Sequence, residues 1–229
     1  MNRYQAAARP LTAQTESAND ILWVTYRWMS VGLGITGLVA WLVSESPAAL
    51  ELFVSNRIVF YGLLFAQLGL VLAFGSVASR ASVALTGAMF FAYAALTGVT
   101  FSILFLIYTS SSIASTFLVT GGAFAGLSVF GAATKTDLSG VGRFAIFALI
   151  GLILASVANL FLASSALLWV TTFAGVVIFA ALTAYDTQKL KALYAAGVGD
   201  NLALRGALML YLDFINMFLF LLRLFGRRK

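Results

Sequence analysis

The sequence contains no cysteine and no histidine, and only eight of its 229 residues are acidic. Without thiols or imidazoles, disulfides, Cys/His metal sites and Ser-His-Asp or Cys-His catalysis are excluded. A pH response near neutrality must then come from carboxylates, because the usual switch residue is missing. Charge of either sign is scarce. Charged residues make up 10% of the chain and apolar residues 62%, whereas a soluble domain carries roughly a quarter of its residues charged. Too few polar groups exist to coat a water-facing globule, so lipid is the solvent that fits. No cleavable signal peptide is visible either. The first twenty residues are mostly polar or small and include Arg3, Arg9, Glu16 and Asp20, so the first apolar span is expected to be retained. The formal charge of +6 comes from basic residues scattered at the ends of apolar runs. They form no stripe or aromatic-interleaved patch, which argues against nucleic-acid binding.

Seven apolar segments can be read, at roughly 23–43, 57–76, 82–107, 113–133, 143–163, 167–192 and 204–225. Most are near the ~20 residues needed to cross a bilayer. Short connections leave no room for a separate soluble domain. The expected architecture is an all-α polytopic membrane protein, with a polar cytoplasmic tail at 1–22 and a single seven-helix transmembrane domain at 23–229. Aromatics sit where spans should meet headgroups: Trp23, Tyr26, Trp28, Tyr108 and Trp169. Arg3, Arg9, Arg80, Lys135, Arg143, Lys189, Lys191 and Arg205 fall on alternate connections, so the positive-inside rule places the N-terminus in the cytoplasm. Seven spans then export the C-terminus, yet Arg223, Arg227, Arg228 and Lys229 cluster there. Either the early helices dominate and the tail is exported, or the last segment re-enters. In the fourth span, Gly122-x-x-x-Gly126 reads as a close-packing motif.

Six of the acidic residues, Glu16, Asp20, Glu45, Glu51, Asp137 and Asp200, fall in tails or connections. Asp186 and Asp213 do not. They lie in spans six and seven, nearly equidistant from a turn centred on Gly199 and Asp200. In an antiparallel helical hairpin, such residues sit at similar depth, here roughly 10–12 Å from the cytoplasmic side at 1.5 Å per residue. Facing each other in a poorly hydrated site, two carboxylates are expected to share one proton and so to change charge near neutral pH. Fully deprotonated, they repel each other or invite a cation such as Ca²⁺, which prefers oxygen ligands. The bland alternative makes each aspartate interhelical glue, but an unpaired ionisable group within a span costs several kcal/mol. Arg80, ending the second span on the same side, is either a counter-charge for the pair or a snorkelling anchor. Gln188 and Asn216 lie within a turn of the aspartates as supporting polar groups; Gln67 and Asn159 are further polar groups within spans.

At Ala184-Tyr185-Asp186-Thr187-Gln188 and Leu210-Tyr211-Leu212-Asp213-Phe214-Ile215-Asn216 the chain resembles the Bax inhibitor-1, or transmembrane Bax-inhibitor-motif, family, in particular its bacterial inner-membrane members. Gly206-Ala207-Leu208, Leu221-Leu222-Arg223-Leu224-Phe225-Gly226 and Leu96-Thr97-Gly98-Val99-Thr100 extend the resemblance. It implies a seven-helix fold with the last helix surrounded by the other six. It also implies that Asp186 and Asp213 form a di-aspartyl pH sensor latched by Arg80, and that the protein is associated with a pH-dependent Ca²⁺ leak, with stress protection, or with modulation of a membrane-anchored protease.

The leading expectation is therefore a passive, pH-gated cation leak of the inner membrane. Asp186 and Asp213 would be the sensor and a weak Ca²⁺ site, Arg80 the latch, and no cofactor is needed. The alternative is a membrane-embedded regulator whose partner is a membrane protease. An enzyme is not expected. Two intramembrane aspartates suggest an aspartyl protease, but Tyr211-Leu212-Asp213-Phe214 lacks the Gly-x-Gly-Asp context of that family. A retinal protein would need a buried lysine in the last span, and 207–222 has none. The bilayer is the expected environment and a monomer the expected state.

Overall fold

The computed structural model describes residues 11–78, 80–196 and 201–229. The tail cations Arg3 and Arg9 and the turn residues Gly199 and Asp200 lie outside the described residues. Eight α-helices follow in order: α1 Leu11–Ser44, α2 Pro47–Leu50, α3 Arg57–Val77, α4 Val83–Ile107, α5 Ser110–Ala133, α6 Ser139–Leu162, α7 Ser165–Ala195 and α8 Leu202–Phe225. Seven are long and apolar enough to cross a membrane, α1 through its segment Asp20–Ser44. Each expected span is found within a few residues. Helix α1 reaches back to Leu11, so residues 11–22 of the expected tail continue the first span as helix. The short α2 and the π-helical turn Glu51–Ser55 after it were not anticipated.

Inside lipid an unpaired backbone group costs several kcal/mol, so the connections stay short and their ends are capped. Ser46 accepts from the amide of Ala49, Asn56 from Ile58 and Val59, Ser82 from Leu85, and Ser164 from Leu167. At the start of α6 the Asp137 carboxylate accepts from the Ser139 amide and hydroxyl, both at 2.8 Å. Those bonds hold its pKa below the ordinary carboxylate value.

Helix α8 is the centre. It packs on α1, α4, α5 and α7, while α3 lies outside α4 and α6 outside α7. In its most apolar window 56% of α8 is buried, against 6% of α3. The driving force differs from that in a soluble core. Lipid tails are as apolar as leucine, so association rests on dispersion, close backbone approach and hydrogen bonds. Glycines supply the approach. A Cβ on Gly98 would lie 2.7 Å from both the Thr36 carbonyl oxygen and Val39 Cβ, which shows how closely α1 crosses α4. On Gly131 it would collide with the Ala184 backbone of α7. Gly122 and Gly126, by contrast, meet nothing within 4 Å. The close-packing motif expected in α5 is thus unused within the described residues, and a glycine outside the motif carries the contact.

The side of the C-terminus, open on the sequence, follows from the course of α8. The helix runs unbroken from Leu202 to Phe225, and its tail then pairs antiparallel with the α4–α5 connection, Tyr108 opposite Arg228. The Thr109 amide donates to the Arg227 carbonyl and the Lys229 amide to that of Ile107, both at 3.0 Å. The tail therefore ends on the face opposite the α3–α4 and α7–α8 connections. Tyr108, expected at the headgroups, is buried beneath it at 7% exposure, with Gly226 packed on its ring.

These contacts predict opposite effects for two alanines in one helix. Gly131→Ala should destabilise the detergent-solubilised protein by about 1–3 kcal/mol through overpacking on Ala184. Gly122→Ala should leave its thermal unfolding midpoint unchanged.

Candidate functional site

The site arises where α7 meets α8. Near the cytoplasmic end a Cβ on Gly206 would come within 2.8 Å of the Leu190 side chain, so the two helices touch closely there. Asp186 stands four residues before Leu190 and Asp213 seven after Gly206, which puts both aspartates on the contacting faces. Two further glycines set the rotation of α7. Gly131 of α5 receives the backbone of Ala184, and Gly142 of α6 receives the Tyr185 ring at 2.5 Å from its Cβ position. With Ala184 and Tyr185 turned outward, Asp186 faces α8.

The two carboxyl groups lie side by side, close enough to share a proton. Asp186 is 8% exposed and Asp213 4%. Asp186 lies nine residues short of Ala195 and Asp213 eleven past Leu202, about 14 and 17 Å from those helix ends at 1.5 Å per residue. A hydrogen bond between carboxyls needs a proton on one of them, so a pair that shares one carries at most one negative charge. Asp213 Oδ2 is enclosed and accepts from no protein donor among the described residues. Among the described residues Lys189 is the cation that acts electrostatically on Asp186; its ammonium lies 5.7 Å from the centre of the Tyr185 ring. Among the described residues there is no group of three or more acidic or metal-ligating side chains.

The other sequence-predicted residues stand apart. Arg80 is exposed in the α3–α4 turn. Asn201 holds that turn at the head of α8 by donating to the Ala78 and Ala81 carbonyls at 3.0 and 2.7 Å. Asp213 lies twelve residues further along α8, about 18 Å away, so the structure does not bring Arg80 to the pair. Gln188 turns away from the aspartates as well. It accepts from the Leu138 amide and donates to the Thr136 carbonyl, both at 2.8 Å, tying the α5–α6 connection to α7. Asn216 donates within its own helix to Leu212.

A second polar cluster escaped sequence reasoning. On the side of α8 away from Asp213, the Tyr211 hydroxyl lies 2.6 Å from Thr36 Oγ1, which also reaches the Ala94 carbonyl at 2.9 Å. Tyr211 is fully buried, edge-on to Phe90 and Tyr93. Thr97 donates to Gln67 Oε1, and Gln67 Nε2 to Thr100, linking α3 to α4. Nearer the cytoplasmic end Thr25 and Tyr194 join α1 to α7 at 2.5 Å. The available signal was the two-residue offset of Tyr211 from Asp213, which turns them to opposite faces of α8.

Comparison with known proteins gives the family. The family model described as Inhibitor of apoptosis-promoting Bax1 matches residues 18–229. The inner membrane protein YbhL of Escherichia coli is 49% identical over 215 residues, covering 89% of this chain and 90% of that one. An uncharacterized protein of Deinococcus radiodurans is 44% identical over 208 residues, 89% of each chain. Another of Borreliella burgdorferi is 40% identical over 216 residues, 92% of this chain and 93% of its own. The chain belongs to the Bax inhibitor family and is a multi-pass inner-membrane protein.

The hydrogen bonds separate the two amides that the sequence grouped together. Gln188→Leu leaves the Leu138 amide unpaired and should cost about 1–3 kcal/mol in thermal unfolding. Asn216→Leu, which removes a bond within one helix turn, should change stability by less than about 0.5 kcal/mol.

Proposed function

We propose that this member of the family is a pH-gated cation leak of the inner membrane, with Ca²⁺ as a permeant substrate and without enzymatic activity or a resident cofactor. The observation that carries the reading is the juxtaposition of the buried Asp186 and Asp213 carboxyls inside the bundle. An intramembrane ionisable pair marks an ion or proton pathway by default, since its cost must be offset by a use. Losing the shared proton sets two negative charges side by side in a low-dielectric site, where they part or draw in a cation. Asp213 Oδ2, unengaged by any protein donor among the described residues, is free to face that cation.

The ligand set favours passage over retention. Ca²⁺ takes 6–8 oxygen ligands, and two carboxylates supply only part of such a shell. An ion would keep most of its water there and leave again. Arg80 as a latch belongs to another packing of the bundle, because here it stands in the turn held by Asn201, about 18 Å along α8 from the level of Asp213. Helix α3, the least buried span, is the element able to carry it inward. The two packings would then be weighted by the protonation of the pair.

The test is Ca²⁺ flux into dye-loaded liposomes holding the purified protein, between about pH 5 and 8. Wild type should show a flux that changes across this range. In Asp186→Asn and in Asp213→Asn the ratio of flux at the two extremes should fall to about one. An unchanged titration in either variant removes the di-aspartyl gate. Flux no greater than in protein-free liposomes, with the fold intact, overturns the leak in favour of a regulatory role toward a membrane protein such as a protease.

A further inference from the structure

A cleft of about 1160 Å³ opens between α1 and α5, floored by Phe214 of α8. Its walls run from Trp23 and Tyr26 near the cytoplasmic end to Phe105 and Ser110 near the other. At mid-depth Gly34, Gly37 and Gly121 leave it empty, with nothing within 4 Å of the Cβ position of any of them. The lining is apolar save for three serines, and one of these is unusual. Ser128 is 5% exposed, yet its hydroxyl has no hydrogen-bond partner among the described residues. An unpaired hydroxyl enclosed in this way costs about 1–3 kcal/mol; Ser128 itself lines the cleft, so a change of its side-chain rotamer offers the hydroxyl to an occupant.

Cations sit at the same end. Arg27 falls between the lining residues Trp23 and Ser30 at helical spacing, at the edge of the α1 wall. It is exposed and makes no ion pair or hydrogen bond among the described residues. Lys191 donates one of its three hydrogens to the carbonyl of Ala132, the innermost lining residue of α5, at 2.8 Å. Arg27 is seven residues inside the apolar part of α1 and Ser128 five residues from the end of α5, about 10 and 8 Å from the cytoplasmic ends. From that depth the long Arg27 side chain snorkels to the level where the hydrocarbon core gives way to glycerol esters and phosphates.

We propose that the α1–α5 cleft is a binding site for one anionic glycerophospholipid of the cytoplasmic leaflet. Its phosphate lies between Arg27 and Lys191, an ester carbonyl accepts from Ser128 Oγ, and its acyl chains run past Gly34 and Gly121 onto Phe214. An amphiphile with one charged end matches a cleft whose cations and unpaired donor are all at one end. The volume exceeds the roughly 300–1,000 Å³ of drug-sized sites, as two acyl chains require. A transmembrane helix would leave Arg27 unpaired unless it carried an acid at that depth. The site is independent of whether the aspartates conduct.

Native mass spectrometry of the purified protein titrated with dioleoyl phosphatidylglycerol or dioleoyl phosphatidylcholine tests it. Wild type should bind one phosphatidylglycerol in preference to phosphatidylcholine. Arg27→Gln, which removes no hydrogen bond or ion pair among the described residues, should weaken phosphatidylglycerol about fivefold and weaken phosphatidylcholine, whose choline offsets its phosphate, by less. Gly121→Leu builds a side chain into the cleft from a position whose Cβ meets nothing within 4 Å, and should weaken both. Equal affinity for the two lipids in wild type, or undiminished binding in Gly121→Leu, overturns the proposal. So does a second polypeptide retained in place of lipid.

Discussion

A carboxyl group can sit inside a bilayer only if protein replaces the water it has lost, and the enclosure of α8 follows from that requirement. Asp213 would be prohibitive on a lipid-facing helix. Here it lies on the one span surrounded by α1, α4, α5 and α7, against the carboxyl of Asp186. The contact depends on backbone proximity that side chains would prevent. Gly206 lets α7 touch α8, and Gly131 and Gly142 seat the residues beside Asp186. Small residues far from any charge therefore decide whether two charges meet.

The same helix has a second polar side with a different character. Tyr211 and Thr36 form a neutral hydrogen-bonded contact whose groups find partners without ionising. Threonine recurs because its hydroxyl can bond the carbonyl one turn back, as at Thr25, Thr36, Thr97 and Thr183. It enters an apolar helix without an unpaired donor and still offers an oxygen to a neighbour. Neutral pairs fix α8 on the α1 and α4 side, and the ionisable pair lies toward α7. A change of protonation thus acts on one seam of the bundle.

Much of this was legible in the sequence. Long apolar runs reported the spans, since bilayer thickness imposes a length that composition reveals. The aspartates reported their own juxtaposition, because two residues equidistant from a hairpin turn share a depth. What could not be read depended on helix rotation and on which neighbour a face meets. Gly122 and Gly126 have the spacing of a packing motif, but the α5 face that meets α7 carries Gly131. Gln188 is two residues from Asp186 and so points elsewhere. Tyr108 was placed at the headgroups by its position at a span end, but the returning C-terminal tail covers it. Arg80 was correctly assigned to the end of its span, and its separation from Asp213 follows from the docking of the α3–α4 turn on Asn201, a contact between residues 120 or more positions apart.

The two ends of α8 are each fastened to a connection between other helices. At its head Asn201 grips the α3–α4 turn, and beyond its foot residues 227–229 are stitched to residues 105–112 by main-chain and side-chain bonds. A rod held at both ends cannot slide like a piston without breaking one set of bonds. Nor can it spin freely, since Tyr211 is bonded to Thr36. The central helix is therefore the axle of this protein, and whatever motion the bundle allows is a motion of the peripheral helices around it.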